Sequence, residues 1–161
     1  MGKTGRAIVS EVENVDELIA DLKSLYADEW IATYYYTVAA DIAIGRGAKA
    51  VVEEIKRLRD DEREHIDELS ERIISLGGEP PRDFQEIYSI ANCKKVNLPS
   101  NPKDLNGFLK AVAEGESCAI EGYNKMLQKL MIAKDPVTFH IIRHIMQEEI
   151  EHEDAMEALM D

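Results

Sequence analysis

Six residues of this 161-residue chain have the chemistry and the spacing to hold a pair of metal ions. Glu62 and His65 make one Glu-x-x-His motif, Glu149 and His152 make a second, and Glu29 and Glu116 stand singly ahead of them. On a helix, positions i and i+3 share a face, so each motif presents a carboxylate beside an imidazole. The spacing repeats: Glu29 precedes Glu62 by 33 residues, Glu116 precedes Glu149 by 33, and all three positions of the first half recur 87 residues later. A symmetric dinuclear site requires such a duplication. Four carboxylates and two neutral imidazoles carry −4, which balances two divalent cations. Oxidation of both metals to the trivalent state leaves an excess of two charges that a bridging oxide would offset. Oxygen-rich ligation with imidazole suits iron or manganese better than structural zinc, which prefers thiolate. The metals are expected about 3.5–4 Å apart, with the same six residues as ligands and as the catalytic set. Glu116 is expected to be shared by both.

Four long helices are needed to place these groups. Asn14 with Glu17 reads as a capping pair, and a helical pattern runs from about 15 to 44, where Gly45-Arg46-Gly47 breaks it. A second helix spans about 48–76 and stops at Gly77-Gly78 and Pro80-Pro81. Asn101-Pro102 and Asp135-Pro136 start a third over about 102–133 and a fourth over about 136–160. Two tight connections imply antiparallel hairpins, and the long segment between them has room for a short helix at Phe84–Ile90. The fold class is therefore all-α, two hairpins with one long crossover, an arrangement that resembles the ferritin-like four-helix bundle.

The apolar seams carry the argument. They read Leu22, Tyr26, Glu29, Thr33, Tyr36, Ala40 in the first helix and Val51, Ile55, Leu58, Glu62, His65, Leu69 in the second. The third reads Leu105, Leu109, Val112, Glu116, Ala119, Tyr123, Leu127, Leu130, and the fourth Ile142, Ile145, Glu149, His152, Met156, Leu159. A lone Glu-x-x-His on a charged helix is usually surface decoration. Here every helix turns one glutamate into its core seam, where a bare carboxylate costs several kcal/mol, and a metal pair explains all four together. Asp61 and Glu148 each precede a ligand glutamate and could orient a metal-bound histidine across the bundle; the alternative is ordinary surface charge. Tyr26 and Tyr123 read as core residues, and His140 and His144 lie off the seam as surface or interface residues.

Composition narrows the partners. Acidic residues outnumber basic ones 32 to 19, for a net charge of −13, which disfavours DNA and anionic lipid and suits cations. The conspicuous uncharged run Trp30–Ala40 is far short of the about 20 residues that cross a bilayer, and no apolar signal core follows the N-terminus. A single domain over 1–161, soluble and cytoplasmic, is expected. Two cysteines, Cys93 and Cys118, make neither a disulfide framework nor a CxxC motif, and such residues are normally small hydrophobes.

The six-residue pattern resembles the ferroxidase site of ferritins and bacterioferritins, and Tyr36 looks like their supporting tyrosine. The stretches Tyr34-Tyr35-Tyr36-Thr37, Ile90-Ala91-Asn92-Cys93, Glu116-Ser117-Cys118-Ala119-Ile120 and Gln147-Glu148-Glu149-Ile150-Glu151-His152-Glu153 are similar to those of the Dps-like proteins called thioferritins. That resemblance implies a hollow dodecamer with a di-iron centre (manganese or zinc being possible occupants) that oxidises Fe²⁺, preferentially with hydrogen peroxide and otherwise with oxygen. It would store the ferric product and protect against oxidative stress. It also implies that Cys93 and Cys118 form a disulfide or redox-active pair near the site. Arg63 stands where bacterioferritin has a haem-ligating methionine, so no haem is expected. Nine residues follow His152, too few for the fifth helix of 24-subunit ferritins. Lys3 and Arg6 are too sparse for a DNA-binding tail. Two other functions fit the residues: a di-iron or di-manganese peroxidase or catalase that stores nothing, and a metal-free acidic interaction module.

Overall fold

A computed structural model of the protein describes residues 2–133 and 135–160, so Met1, Lys134 and Asp161 lie outside the described residues. All its regular elements are helices: α1 (Lys3–Val9), α2 (Val15–Ile42), α3 (Ala48–Ser75), α4 (Phe84–Ile90), α5 (Leu105–Ala133) and α6 (Pro136–Met160). The long helices pair as α2 with α3 and α5 with α6, and the two hairpins pack into one bundle. The crossover between them lays α4 against α2, with Ile87 and Ala91 packed on Ala27 and Ile31. None of these helices is long and apolar enough to cross a membrane.

Several helix ends differ from the sequence expectation, each for an identifiable reason. Asn14 does stand at the start of α2, but in the left-handed region (φ 54°, ψ 43°) and without a side-chain capping bond. A capping side chain needs extended backbone, whereas the turn arriving from the unanticipated α1 needs a residue that tolerates positive φ. The first turn of α2 is instead complemented by Asp16 and Glu17. α5 begins at Leu105, three residues after Pro102. Asn101 accepts the Lys103 N–H through its side chain and so forms a turn, and Asp104 is the true cap, accepting the Gly107 N–H at 2.9 Å. α2 stops at Ile42 because the Ile44 N–H leaves the helix and donates to the Pro102 carbonyl at 2.8 Å, tying the first turn to the end of the crossover.

Other ends follow the sequence signals. Gly77, at φ 91°, closes α3 with the Gly77 N–H on the Ile74 carbonyl and the Gly78 N–H on the Ile73 carbonyl, a pattern that needs a left-handed residue. Asp135 caps α6 through the N–H groups of Val137 and Thr138. The same carboxylate takes both bonds of a buried Arg72 guanidinium (2.9 and 3.0 Å), which pins the end of α3 to the start of α6.

Besides the small cluster under α4, the core has two larger parts. One cluster gathers Ala39, Val51, Ile55, Leu58, Phe108, Leu109, Val112 and Met156; the other gathers Leu22, Leu25, Ile66, Leu69, Ile73, Met126, Leu130, Ile142 and Ile145. By register along every helix, the acidic residues fall between them. Leu159, assigned to the seam from its spacing, is 40% exposed at the last turn of α6.

Candidate metal centre

All six expected residues are buried, none more than 2% exposed. They converge as two overlapping groups whose potential ligand atoms lie within 4.8 Å of one another: Glu29, Glu62, His65 and Glu149, and then Glu62, Glu116, Glu149 and His152. The shared residues are Glu62 on α3 and Glu149 on α6. This corrects the expectation for Glu116, which belongs to one group alone, as Glu29 belongs to the other. α2 and α5 bring those single carboxylates in from opposite flanks, while the facing helices α3 and α6 carry the central pair.

The histidines are aimed by their outer nitrogens. His65 Nε2 lies 2.9 Å from Glu148 Oε2, and His152 Nε2 lies 3.1 Å from Asp61 Oδ2, each partner being on the opposite helix of the α3–α6 pair. An Nε2–H donated outward leaves the Nδ1 lone pair facing the cluster. His65 Nδ1 sits 2.9 Å from Glu149 Oε1, 3.2 Å from Glu62 Oε2 and 3.8 Å from Glu29 Oε2, an arrangement that one proton cannot satisfy. His152 Nδ1 lies 3.4 Å from Glu116 Oε2 and 3.5 Å from Glu62 Oε1.

Two phenols complete the symmetry. Tyr36 on α2 donates to Glu116 Oε1, and Tyr123 on α5 donates to Glu29 Oε1. Tyr123 reads as a core residue from its seam position, yet it follows Tyr36 by the same 87 residues that separate Glu29 from Glu116. Asp61 and Glu148 obey that interval too, so extending the repeat beyond the ligands finds the whole surround. Gly115 lets Tyr36 approach: a Cβ there would meet the phenol oxygen at 2.8 Å, and Tyr36 is too buried to retreat.

The electrostatics record a cluster of charges without counter-charge. Burial, and then neighbouring carboxylates (Glu29 and Glu116 beside Glu62, Glu62 and Glu116 beside Glu149), push Glu62 and Glu149 well above the carboxylate range. Burial opposes ionisation of Glu29 as well, but hydrogen bonds with Glu62, His65 and Tyr123 outweigh it and hold this carboxyl low. Burial opposes charge on His65 and His152 too, yet the surrounding carboxylates (Glu149 chief for His65, Glu116 for His152) raise both. Tyr36 and Tyr123 are raised by burial and by the carboxylates they serve, so they stay phenolic donors. Glu62 Oε1, Glu116 Oε2, Glu149 Oε1 and His152 Nδ1 are buried without a hydrogen-bond partner. Buried orphans are rare in proteins, and four in one cluster of carboxylate and imidazole fit cations of the kind that take oxygen and nitrogen ligands.

Cys93, in the crossover, and Cys118, on α5, are joined in a disulfide with Cα atoms 6.0 Å apart. Asp28, which belongs to neither Glu-x-x-His motif, holds this loop. Its Oδ1 accepts the N–H groups of Asn92 and Cys93 at 2.7 Å each. Burial, against the Cys93 N–H bond, lifts its carboxyl to about 6. The signal was present: an acid precedes Glu29 as one precedes Glu62 and Glu149. Of the remaining candidates, His144 is exposed, 3.7–3.8 Å from Glu148 and Glu68. Arg63 lies over the Trp30 ring at 5.3 Å.

A ferritin-like domain model matches residues 19–161 of this chain. The chain belongs to the ferritin-like family. A relative, the DNA protection during starvation protein of Pyrococcus furiosus, is 36% identical over 147 residues, covering 91% of this chain and 78% of its own. Among solved structures, the dodecameric thioferritin of Bacteroides fragilis, a bacterioferritin-related protein, superposes with a TM-score of 0.87 at 30% identity, over 98% of this chain and 92% of that one. A Dps protein of Vibrio cholerae, a ferritin-like diiron-carboxylate protein, superposes at 0.84 with 17% identity, over 95% and 92%, and so shares the fold. On this ferritin-like fold, the buried cluster of glutamates and histidines fits a di-iron centre.

Proposed function

We propose that this ferritin-like chain is a ferroxidase subunit of an iron-storage cage, oxidising Fe²⁺ with hydrogen peroxide in preference to oxygen and thereby limiting oxidative damage. The observation that carries the reading is the overlap of the two ligand groups at Glu62 and Glu149. Glu29, Glu62, His65 and Glu149 would hold one iron, and Glu62, Glu116, Glu149 and His152 the other. The bound pair supplies one electron from each ion, so peroxide is consumed whole: two Fe²⁺, one H₂O₂ and two protons give two Fe³⁺ and two H₂O. A one-electron donor would instead release hydroxyl radical, which explains why a pair of sites suits peroxide.

The chain's own residues perform the rest. Glu148 and Asp61 fix the imidazoles so that Nδ1 faces the metal positions, Tyr36 and Tyr123 hold the flanking carboxylates, and the burial of all six ligands keeps bulk water from them. Storage is supported by the near full-length likeness to a dodecameric relative and by the acidic balance of −13 per chain, which draws Fe²⁺ toward a closed shell. Twelve chains of 18.2 kDa make an assembly of about 220 kDa. Light scattering combined with an iron assay after feeding Fe²⁺ and peroxide is expected to find that mass and well over two irons per subunit. A monomer or dimer that stops at two irons would instead make the chain a non-storing di-iron or di-manganese peroxidase or catalase.

A further inference from the structure

Asp28 is a buried carboxylate, 4% exposed, with one oxygen used and one unexplained. Oδ1 is occupied by the two loop N–H groups, while Oδ2 has no hydrogen-bond partner. The four orphaned atoms of the metal cluster are answered by cations; Oδ2 lies outside both ligand groups and needs another answer. Asp28 also lines a cavity of about 20 Å³ whose walls include Glu29, Glu149, Cys93, Lys95 and Ala119. A water needs about 10–15 Å³ on this measure, so the cavity takes one very small molecule. Its lining reaches from exposed Lys95 to the buried ligand carboxylates Glu29 and Glu149. It therefore joins the disulfide loop at the surface to the flank of the metal centre.

The space admits one water or a molecule little larger, and other candidates fit it less well. A hydrated divalent cation brings a shell of waters that the space cannot hold. Dioxygen has no proton to donate to a bare carboxylate oxygen. Hydrogen peroxide is small, carries two O–H donors and is consumed next door. We propose that this cavity is a hydrogen peroxide subsite, in which Asp28 Oδ2 accepts a hydrogen bond from one O–H and holds the molecule beside Glu29 and Glu149. The proposal rests on the ferroxidase reading and adds to it a place where the oxidant waits, on the side of the disulfide. Asp28 is matched 87 residues later by Gly115, so the second half of the chain has no equivalent carboxylate and the subsite is one-sided.

Two measurements test it. Crystals of the protein loaded with redox-inert Zn²⁺ and soaked in hydrogen peroxide are expected to show a two-atom molecule within hydrogen-bond distance of Asp28 Oδ2; a lone water or nothing there would overturn the subsite. In solution, Asp28→Asn keeps an oxygen for the loop N–H groups but turns the other position into a donor. It is expected to raise KM for peroxide about tenfold, the effect of losing a hydrogen bond to a charged group, while lowering kcat much less and still binding two Zn²⁺ per subunit. An unchanged KM, or loss of Zn²⁺ binding in step with the kinetic change, would count against it. Ala119→Val narrows the same cavity without touching Asp28 and is expected to raise KM for peroxide alike; an unchanged KM in this variant also overturns the proposal. Wild-type protein that oxidises no Fe²⁺ with either oxidant would remove the ferroxidase reading itself, a result distinct from a normal enzyme indifferent to Asp28.

Discussion

At the scale of the residue, the six ligands are not equivalent, and mutation should reveal two ranks. Glu62 belongs to both groups and Glu116 to one. Glu116→Ala is expected to lower initial Fe²⁺ oxidation by roughly tenfold or more, whereas Glu62→Ala should abolish the binding of both metals. Zinc titration separates the cases: equal losses in the two variants would contradict the sharing seen here. The pH response follows from the directions of the shifts. Without metal, Glu62, Glu149, His65 and His152 all hold protons more tightly folded than unfolded, and Glu29 runs the other way. The folded apoprotein therefore binds more protons than the unfolded chain from the ordinary carboxylate range upward. The stability this confers is complete in acid and is lost as pH rises. Metal displaces those protons, so its affinity moves in the opposite sense. Thermal melts with chelator should fall in Tm between about pH 5 and 8 while the gain from added Zn²⁺ widens; an apoprotein Tm that climbs over that range would refute it. The ligands were legible because glutamates on an apolar seam have no cheap alternative. Asp28 was marked in the sequence only by its place before Glu29, and its role was not legible, since its partners are backbone N–H groups 64 and 65 residues away.

At the scale of the element, the four long helices could be read from their glycines, prolines and seams, because those signals act locally. Two of the differing ends are set by another segment: the Ile44–Pro102 bond ends α2, and the arrival of α1 sets the backbone of Asn14, whereas the start of α5 turns on the local choice between Asn101 and Asp104 as cap. α1 itself buries no residue, so no apolar stripe announces it. The ion pair between Arg72 and Asp135 was likewise invisible, as nothing in either residue's neighbourhood names the other. Both are buried, and Thr138 joins them through its hydroxyl. Burial works against the Asp135 charge, but bonds from Thr138 and Arg72 outweigh it and keep the carboxyl below its usual range. Arg72→Ala would strand that carboxylate and is expected to cost about 3–5 kcal/mol, read as a lower urea midpoint at fixed metal content. A cost below about 1 kcal/mol, the range of exposed pairs, would show that solvent reaches Asp135.

At the scale of the whole molecule, the division of the ligands between the hairpins has a consequence of its own. Glu29, Glu62 and His65 come from the first hairpin and Glu116, Glu149 and His152 from the second, and each group borrows one glutamate across the divide. The disulfide spans the same divide, because Cys93 belongs to the crossover that is laid on α2 while Cys118 rides on α5. Chain connectivity through the exposed residues Lys94 and Lys95 is then redundant. Residues 1–94 and 95–161 produced as separate polypeptides should assemble into a working half-and-half protein, clasped by metal and sulfur where the peptide bond is missing. Stripped of metal and reduced, the two pieces should part at a urea concentration that depends on protein concentration. Restoring Zn²⁺ should raise that concentration markedly, and size-exclusion chromatography across the titration would show it. Pieces whose parting ignores the metal would mean that the apolar clusters alone keep the hairpins together.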